Sequence, residues 1–265
     1  MSLLAVAQFA PGDDTAANLA EIRRLAQAAV ARGATLVVFP EYSSFFEPRL
    51  GDASIAAAQP LDGPFATALG SLAAEFGIHL VAGMLESVDA THVSNTLVAL
   101  DPAGTVVAEY RKLHLYDAFG QRESDRVRAG DIEAPRTFAW EGFTVGLQTC
   151  YDIRFPELSR RLVDAGADLI LVPAEWVRGP LKEHHWRTLV TARAIENTVY
   201  LAAADHAPPV GAGYSMIVDP MGVELATIGE EEGVIAVAEV TPQRIAAVRE
   251  INPALRLRRF GVHPL

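Results

Sequence analysis

Apolar residues fall along this chain in two patterns. Unbroken runs such as LLAVAQFA at 3–10 and TLVVFPE at 35–41 read as buried strands, and spaced sets such as Leu19, Ile22, Leu25 and Ala29 mark one face of a helix. The spacing predicts a helix from Thr15 to Arg32, with Asp14 placed to cap its first amides and Gly33 to close it. Strand, helix and strand make a β-α-β unit. A second helix carries Phe65, Leu69, Leu72 and Phe76 on one face, with Pro64 at its start and Gly77 at its end. Strands follow at HLVAGML (79–85), NTLVAL (95–100) and TVVAEY (105–110).

The order then repeats. FTVGLQTC (143–150) reads as a strand, a helix opens at Pro156 and closes at Gly166, and DLILVPAE (168–175) is the next strand. A helix around Trp186, Leu189, Val190 and Ala194 precedes VYLAAAD (199–205), YSMIVD (214–219) and further strands. ARGATLVVFPE at 31–41 is echoed by DAGADLILVPAE at 164–175, and the turn DPAG at 101–104 by DPMG at 219–222. Two echoes in one order indicate an internal duplication. Each half supplies a sheet with helices on one face and an apolar face left bare. Stacking the bare faces predicts an α/β fold, a four-layer α-β-β-α sandwich of two pseudo-repeated halves forming one domain over 1–265.

Composition narrows the partners. The chain has 265 residues, half of them apolar and 21% charged, with a net charge of −11. Phosphate backbones and anionic membrane surfaces repel such a protein, so neither nucleic acid nor membrane is expected as a partner. No apolar run reaches the roughly 18 residues of a spanning helix, and the start lacks a basic leader, so a soluble, cytoplasmic protein is expected. The single cysteine, Cys150, cannot form an internal disulfide.

Candidate chemistry gathers at strand ends, where open sheets with helical crossovers bind ligands. Taken alone, Cys150 reads as a small core residue rather than a nucleophile, and its flanks shift that reading. Tyr151, Asp152, Arg154 and Pro156 follow it, which places the thiol at a strand-to-helix turn with the Tyr151 backbone amide in the position of an oxyanion donor. Glu41 and Glu175 end the two echoing strands. Burial there raises a carboxylate's pKa and makes it a better base, whereas an isolated glutamate serves as a cap or surface ion partner. Alternation sets Arg111 and Lys112 on opposite faces, so one of them points toward the site. Arg154, Arg178 and Arg187 are candidates to meet a substrate carboxylate. His184 and His185 point to different helix faces. No HExxH, spaced Cys/His set, P-loop or GxGxxG is present, so no metal and no cofactor are expected.

FPE at 39–41, YRKLHLY at 110–116 and TCYDIRFPEL at 149–158 together resemble the three signature blocks of the nitrilase superfamily of carbon-nitrogen hydrolases. The resemblance extends through ARAIEN at 192–197 and GYSMIVDPMG at 213–222. It implies a Glu41, Lys112, Cys150 triad, with Glu123 of the ES pair in the irregular segment 116–136 as a second, supporting glutamate. It also implies the α-β-β-α fold and homodimers or larger homo-oligomers. Tyr-Asp after the cysteine, where true nitrilases have Trp-Glu, points to the amidase branches similar to ω-amidases and deaminated glutathione amidases. The implied reaction is hydrolysis of a small aliphatic amide through a cysteine thioester. A nitrilase, an N-carbamoyl or ureido hydrolase, a catalytically silent binding member and a redox sensor are the rival readings. PAEW at 173–176 departs from the pattern, since many relatives carry an uncharged residue in place of Glu175. Glu175 and Trp176 are taken as substrate-contacting residues.

Overall fold

The structure, a computed structural model, describes residues 2–264. The first half carries β1 (Ser2–Gln8), α1 (Thr15–Ala31), β2 (Leu36–Val38), a short α2 (Asp52–Ala57), α3 (Pro64–Phe76), β3 (His79–Ser87), β4 (Val93–Leu100) and β5 (Val106–Arg111). The second carries β6 (Thr137–Trp140), β7 (Phe143–Leu147), α4 (Pro156–Asp164), β8 (Leu169–Ala174), α5 (Lys182–Asn197), β9 (Tyr200–Asp205), β10 (Met216–Val218), β11 (Glu224–Thr227), β12 (Val234–Val240) and α6 (Pro242–Ile251). The expected caps are in place: the Asp14 carboxylate accepts from the amides of Ala16 and Ala17 at 2.8 and 3.1 Å.

Two six-stranded sheets have the orders β12-β1-β2-β3-β4-β5 and β11-β10-β9-β8-β7-β6. In the first, β1, β2 and β3 run parallel and β4 and β5 follow antiparallel. In the second, β7, β8 and β9 run parallel and β10 and β11 follow antiparallel. Each sheet is closed by an antiparallel edge strand, β12 on β1 and β6 on β7. The duplication read from local wording is thus a duplication of topology. The halves are not simply consecutive, however, because β12 returns from the far end of the chain to pair Val240 with Ser2.

Packing follows the four-layer plan. One apolar cluster joins Leu4, Val6 and Val38 of the first sheet to Leu147, Leu171 and Ala204 of the second. The outer face of the first sheet packs on α1 and α3 through Ile22, Leu25 and Leu69. The outer face of the second packs on α4 and α5 through Leu162, Trp186 and Val190. None of the described helices is long and apolar enough to cross a membrane. The carboxyl ends of β2, β7 and β8 carry the chain directly into Glu41, Cys150 and Glu175.

Candidate active site

Glu41 is held by a turn that needs a glycine beside it. β2 stops at Val38, and Tyr42 takes a left-handed backbone with φ of 54°. The turn packs so closely on β3 that a Cβ at Gly83 would lie 2.7 Å from Glu41 Cα and from the Tyr42 nitrogen. The Gly83 amide donates to the Pro40 carbonyl at 3.1 Å, and the His206 Nε2–H donates to the Glu41 carbonyl at 2.6 Å. Burial lowers the His206 pKa to about 4, so this imidazole is neutral near neutral pH.

Lys112 follows β5, and its amide extends the pairing with β4 by donating to the Asn95 carbonyl at 2.9 Å. Alternation acts as expected. Arg111 turns outward to an ion pair with Glu86 at 2.6 Å, and Lys112 turns inward, with its side chain 2% exposed. The Lys112 Nζ lies 2.9 Å from Glu41 Oε1 and 2.9 Å from Glu123 Oε2. Glu123, in a single 3-10 turn within the irregular segment, also accepts from the Tyr42 hydroxyl and the Tyr116 amide, each at 2.6 Å. Asn95 donates to both carboxylates, at 2.5 Å to Glu41 and 3.1 Å to Glu123.

These surroundings drive the two glutamates apart. Burial raises the Glu41 pKa, with Lys112 opposing and the Glu123 charge adding. Burial acts on Glu123 too, but there it is outweighed by Lys112 and by the hydrogen bonds from Tyr42, Lys112 and the Tyr116 amide, which hold it below the ordinary glutamate value. For Lys112, burial is outweighed by Glu123 and Glu41, so its pKa is raised and it stays an ammonium. One carboxyl is therefore suited to gain and lose a proton, and the other to remain a fixed charge.

Cys150 opens the 3-10 turn Cys150–Arg154 between β7 and α4, in a left-handed conformation with φ of 43°. For a residue with a side chain that geometry costs about 1–3 kcal/mol, and the turn is held against it. The buried Asp152 accepts from the Thr149 amide at 3.0 Å, the Tyr110 hydroxyl at 2.7 Å, and the His114 amide and ring at 3.0 and 2.7 Å. This ties the cysteine turn to the strand that delivers Lys112. Tyr151 is the second residue of the 3-10 turn, where a backbone N–H has no acceptor within the turn. The thiol is 5% exposed and lies 3.4 Å from the Glu175 carbonyl. Burial pushes it well above the usual thiol range, and the Glu41 charge adds to that while Lys112 opposes it.

Glu41, Lys112, Glu123, Cys150 and Glu175 line one cavity of about 560 Å³. Glu175 joins Cys150 to Glu41 through its backbone, since its amide also donates to Glu41 Oε2 at 2.6 Å. Trp176 stands behind the cavity wall. It is 1% exposed, with its amide on Asp205 at 2.7 Å and its ring packed on Trp186, Arg154 and Lys182. Arg178 pairs with Glu183 and Glu230, and Arg187 with Glu224. Arg154 has no carboxylate partner among the described residues, and neither does its neighbour Lys182. Sequence reasoning missed Gly83, Asn95, Tyr42 and His206.

The model of the family described as carbon-nitrogen hydrolase matches residues 3–250. A deaminated glutathione amidase of Escherichia coli O157:H7 is 43% identical over 266 residues, covering 98% of each chain. Omega-amidase NIT2-A of Xenopus laevis is 32% identical over 277 residues, covering 98% of this chain and 96% of its own. Among solved structures, a mutant amidase from Nesterenkonia sp. AN1, with the acetamide moiety of fluoroacetamide covalently added at its active-site cysteine, is similar at a TM-score of 0.79 and 27% identity, over 97% of each chain. The chain belongs to the carbon-nitrogen hydrolase family of the nitrilase superfamily, and it is a carbon-nitrogen hydrolase.

Proposed function

We propose that the chain is a cysteine amidase that converts a small aliphatic amide to a carboxylic acid and ammonia, without metal or cofactor. The observation that carries this reading is the Lys112 ammonium fixed at 2.9 Å from each of two glutamates in the cavity that also holds the only thiol.

Glu41, its proton affinity raised by burial, takes the Cys150 proton as sulfur attacks the amide carbon. The C–S bond forms and the carbonyl π pair moves to oxygen. That oxyanion meets the Lys112 ammonium and the Tyr151 amide, donors typically worth about 3–4 kcal/mol each. The Glu41 carboxylic acid then gives its proton to the nitrogen, the C–N bond breaks and ammonia leaves. Water enters, Glu41 takes its proton, and its oxygen attacks the thioester carbon. The C–S bond breaks and the proton returns to sulfur. Glu123 keeps Lys112 charged and in place throughout. Arg154 and Lys182 have no carboxylate partner among the described residues, and Lys182 reaches the cavity-lining Tyr116, donating to its hydroxyl at 3.0 Å; the pair favours an acyl group that ends in a carboxylate.

The relatives named as deaminated glutathione amidase and omega-amidase support the amide reading over nitrile or ureido substrates. Ammonia release measured on panels of aliphatic amides, ω-amides of dicarboxylic acids, nitriles and ureido acids tests it. Turnover of amides that is lost in Cys150→Ala, with fold and assembly unchanged, is expected. Turnover of nitriles or ureido acids alone would replace it with one of those activities.

A further inference from the structure

Glu175 is the cavity residue that the reaction above leaves without a task. Its backbone is fixed at the centre of the site, with the carbonyl against the Cys150 thiol at 3.4 Å and the amide on Glu41 Oε2 at 2.6 Å. A side chain rooted there lines the same cavity as Cys150. Yet neither oxygen of its carboxyl is hydrogen-bonded to any described residue, Oε1 is shut off from solvent, and no basic nitrogen among the described residues comes within ion-pair distance. Every other glutamate lining the inner cavity is the reverse: Glu41 and Glu123 each accept several hydrogen bonds. A carboxyl oxygen closed to solvent and without a partner costs stability, and Oε1 is such an atom. A ligand is what would complete it.

We propose that Glu175 is a specificity-determining residue whose carboxyl hydrogen-bonds an oxygen substituent on the acyl chain of the amide, close to the scissile carbonyl. Burial, with the Glu41 charge adding to it, pushes this carboxyl well above the usual glutamate range, Lys112 and Lys182 only partly opposing. The protonated form that this favours can donate as well as accept, as an ionised glutamate cannot. A hydroxyl or carbonyl oxygen on the acyl chain completes it, whereas an unsubstituted chain leaves it unpaired. Sites built to hydrogen-bond a substrate oxygen discriminate strongly against analogues lacking it, because their own polar group is then stranded. The inference rests on the amidase reading and adds the substrate class: amides of oxygen-bearing short acids.

The test compares wild type, Glu175→Gln and Glu175→Ala on matched pairs, lactamide against propionamide and malamate against succinamate, with Tm measured in parallel. Wild type is expected to prefer the oxygenated member of each pair by roughly tenfold or more, mainly through KM. Glu175→Ala should erase that preference while leaving Tm unchanged or higher. Glu175→Gln, which can still donate and accept, should keep most of it. An unchanged preference in Glu175→Ala overturns the inference while leaving the amidase reading intact. So does a fall in Tm with equal losses on both members, which marks a structural residue. A wild-type protein that turns over none of these amides, and forms no adduct with them at Cys150, overturns both.

Discussion

Lys112 and Glu123 are joined at 2.9 Å with both side chains nearly closed to water, 2% and 7% exposed, although one follows a strand and the other sits in an irregular loop. A buried ammonium is costly unless it is paired and hydrogen-bonded, and here two carboxylates share it. The pairing fixes the position of the Lys112 charge. Glu123→Gln keeps the shape and removes one of the two charges. The expected result is a fall in kcat of about a hundredfold, the scale of a lost oxyanion donor, with KM moved far less. Steady-state ammonia release checks it.

Gly83 sets the place of Glu41. Gly83→Ala puts a methyl 2.7 Å from the backbone on which Glu41 is built, and backbone has no rotamer with which to yield. A strain of about 1–3 kcal/mol is expected, taken up by a shift of the Glu41 turn. Activity should therefore fall by a larger factor than stability suggests, as seen by comparing kcat/KM with denaturant midpoints.

Arg154 has no carboxylate partner among the described residues and shares the Trp176 ring with Lys182. Arg154→Gln should raise KM for succinamate roughly tenfold, as expected for one charged hydrogen bond, and leave KM for propionamide within about twofold. Equal changes on both would remove the carboxylate from the proposed substrate.

Acid stability should carry the mark of His206. Its folded pKa of about 4 lies below the ordinary 6.5, because burial disfavours the charged ring. Between those values the unfolded chain binds a proton that the folded protein does not. Stability is thus complete above pH 6.5 and falls as pH drops toward 4, by about 3 kcal/mol from this group. His206→Gln, which can still donate to the Glu41 carbonyl, should show a shallower loss in urea melts over that range.

What the sequence revealed follows from how local the signal is. The Asp14 cap, the Pro64 start and the α1 and α3 faces depend on neighbours within one helix, and they stand where the pattern put them. The opposite facing of Arg111 and Lys112 needs only the strand period. The pairing of β12 with β1 depends on residues more than 200 positions apart, and the short β6 has too few residues to show a period. α2 and α6, at six and ten residues, were likewise not foreseen. Glu41, Lys112 and Cys150 were named through the three signature blocks, and Glu123 through the ES pair. Asn95 and His206 were not, because an asparagine inside an apolar strand acquires its role only when two distant carboxylates arrive at its amide. Trp176 was expected at the substrate and lies behind it, since a ring one residue beyond Glu175 turns to the opposite side, into the core with Trp186.

Sulfur, lysine and glutamate are expected to act together on one carbon. Wild type and Glu41→Gln, mixed with an accepted amide and quenched within the first turnovers, can be digested and mapped by mass spectrometry. The expected result is an acyl mass on the peptide containing Cys150 in the wild type and little or none in Glu41→Gln, where sulfur lacks the base that takes its proton and nitrogen the acid that releases it. Amide turnover with Cys150 unmodified at every time point in both proteins, and undiminished in Cys150→Ala, would contradict it.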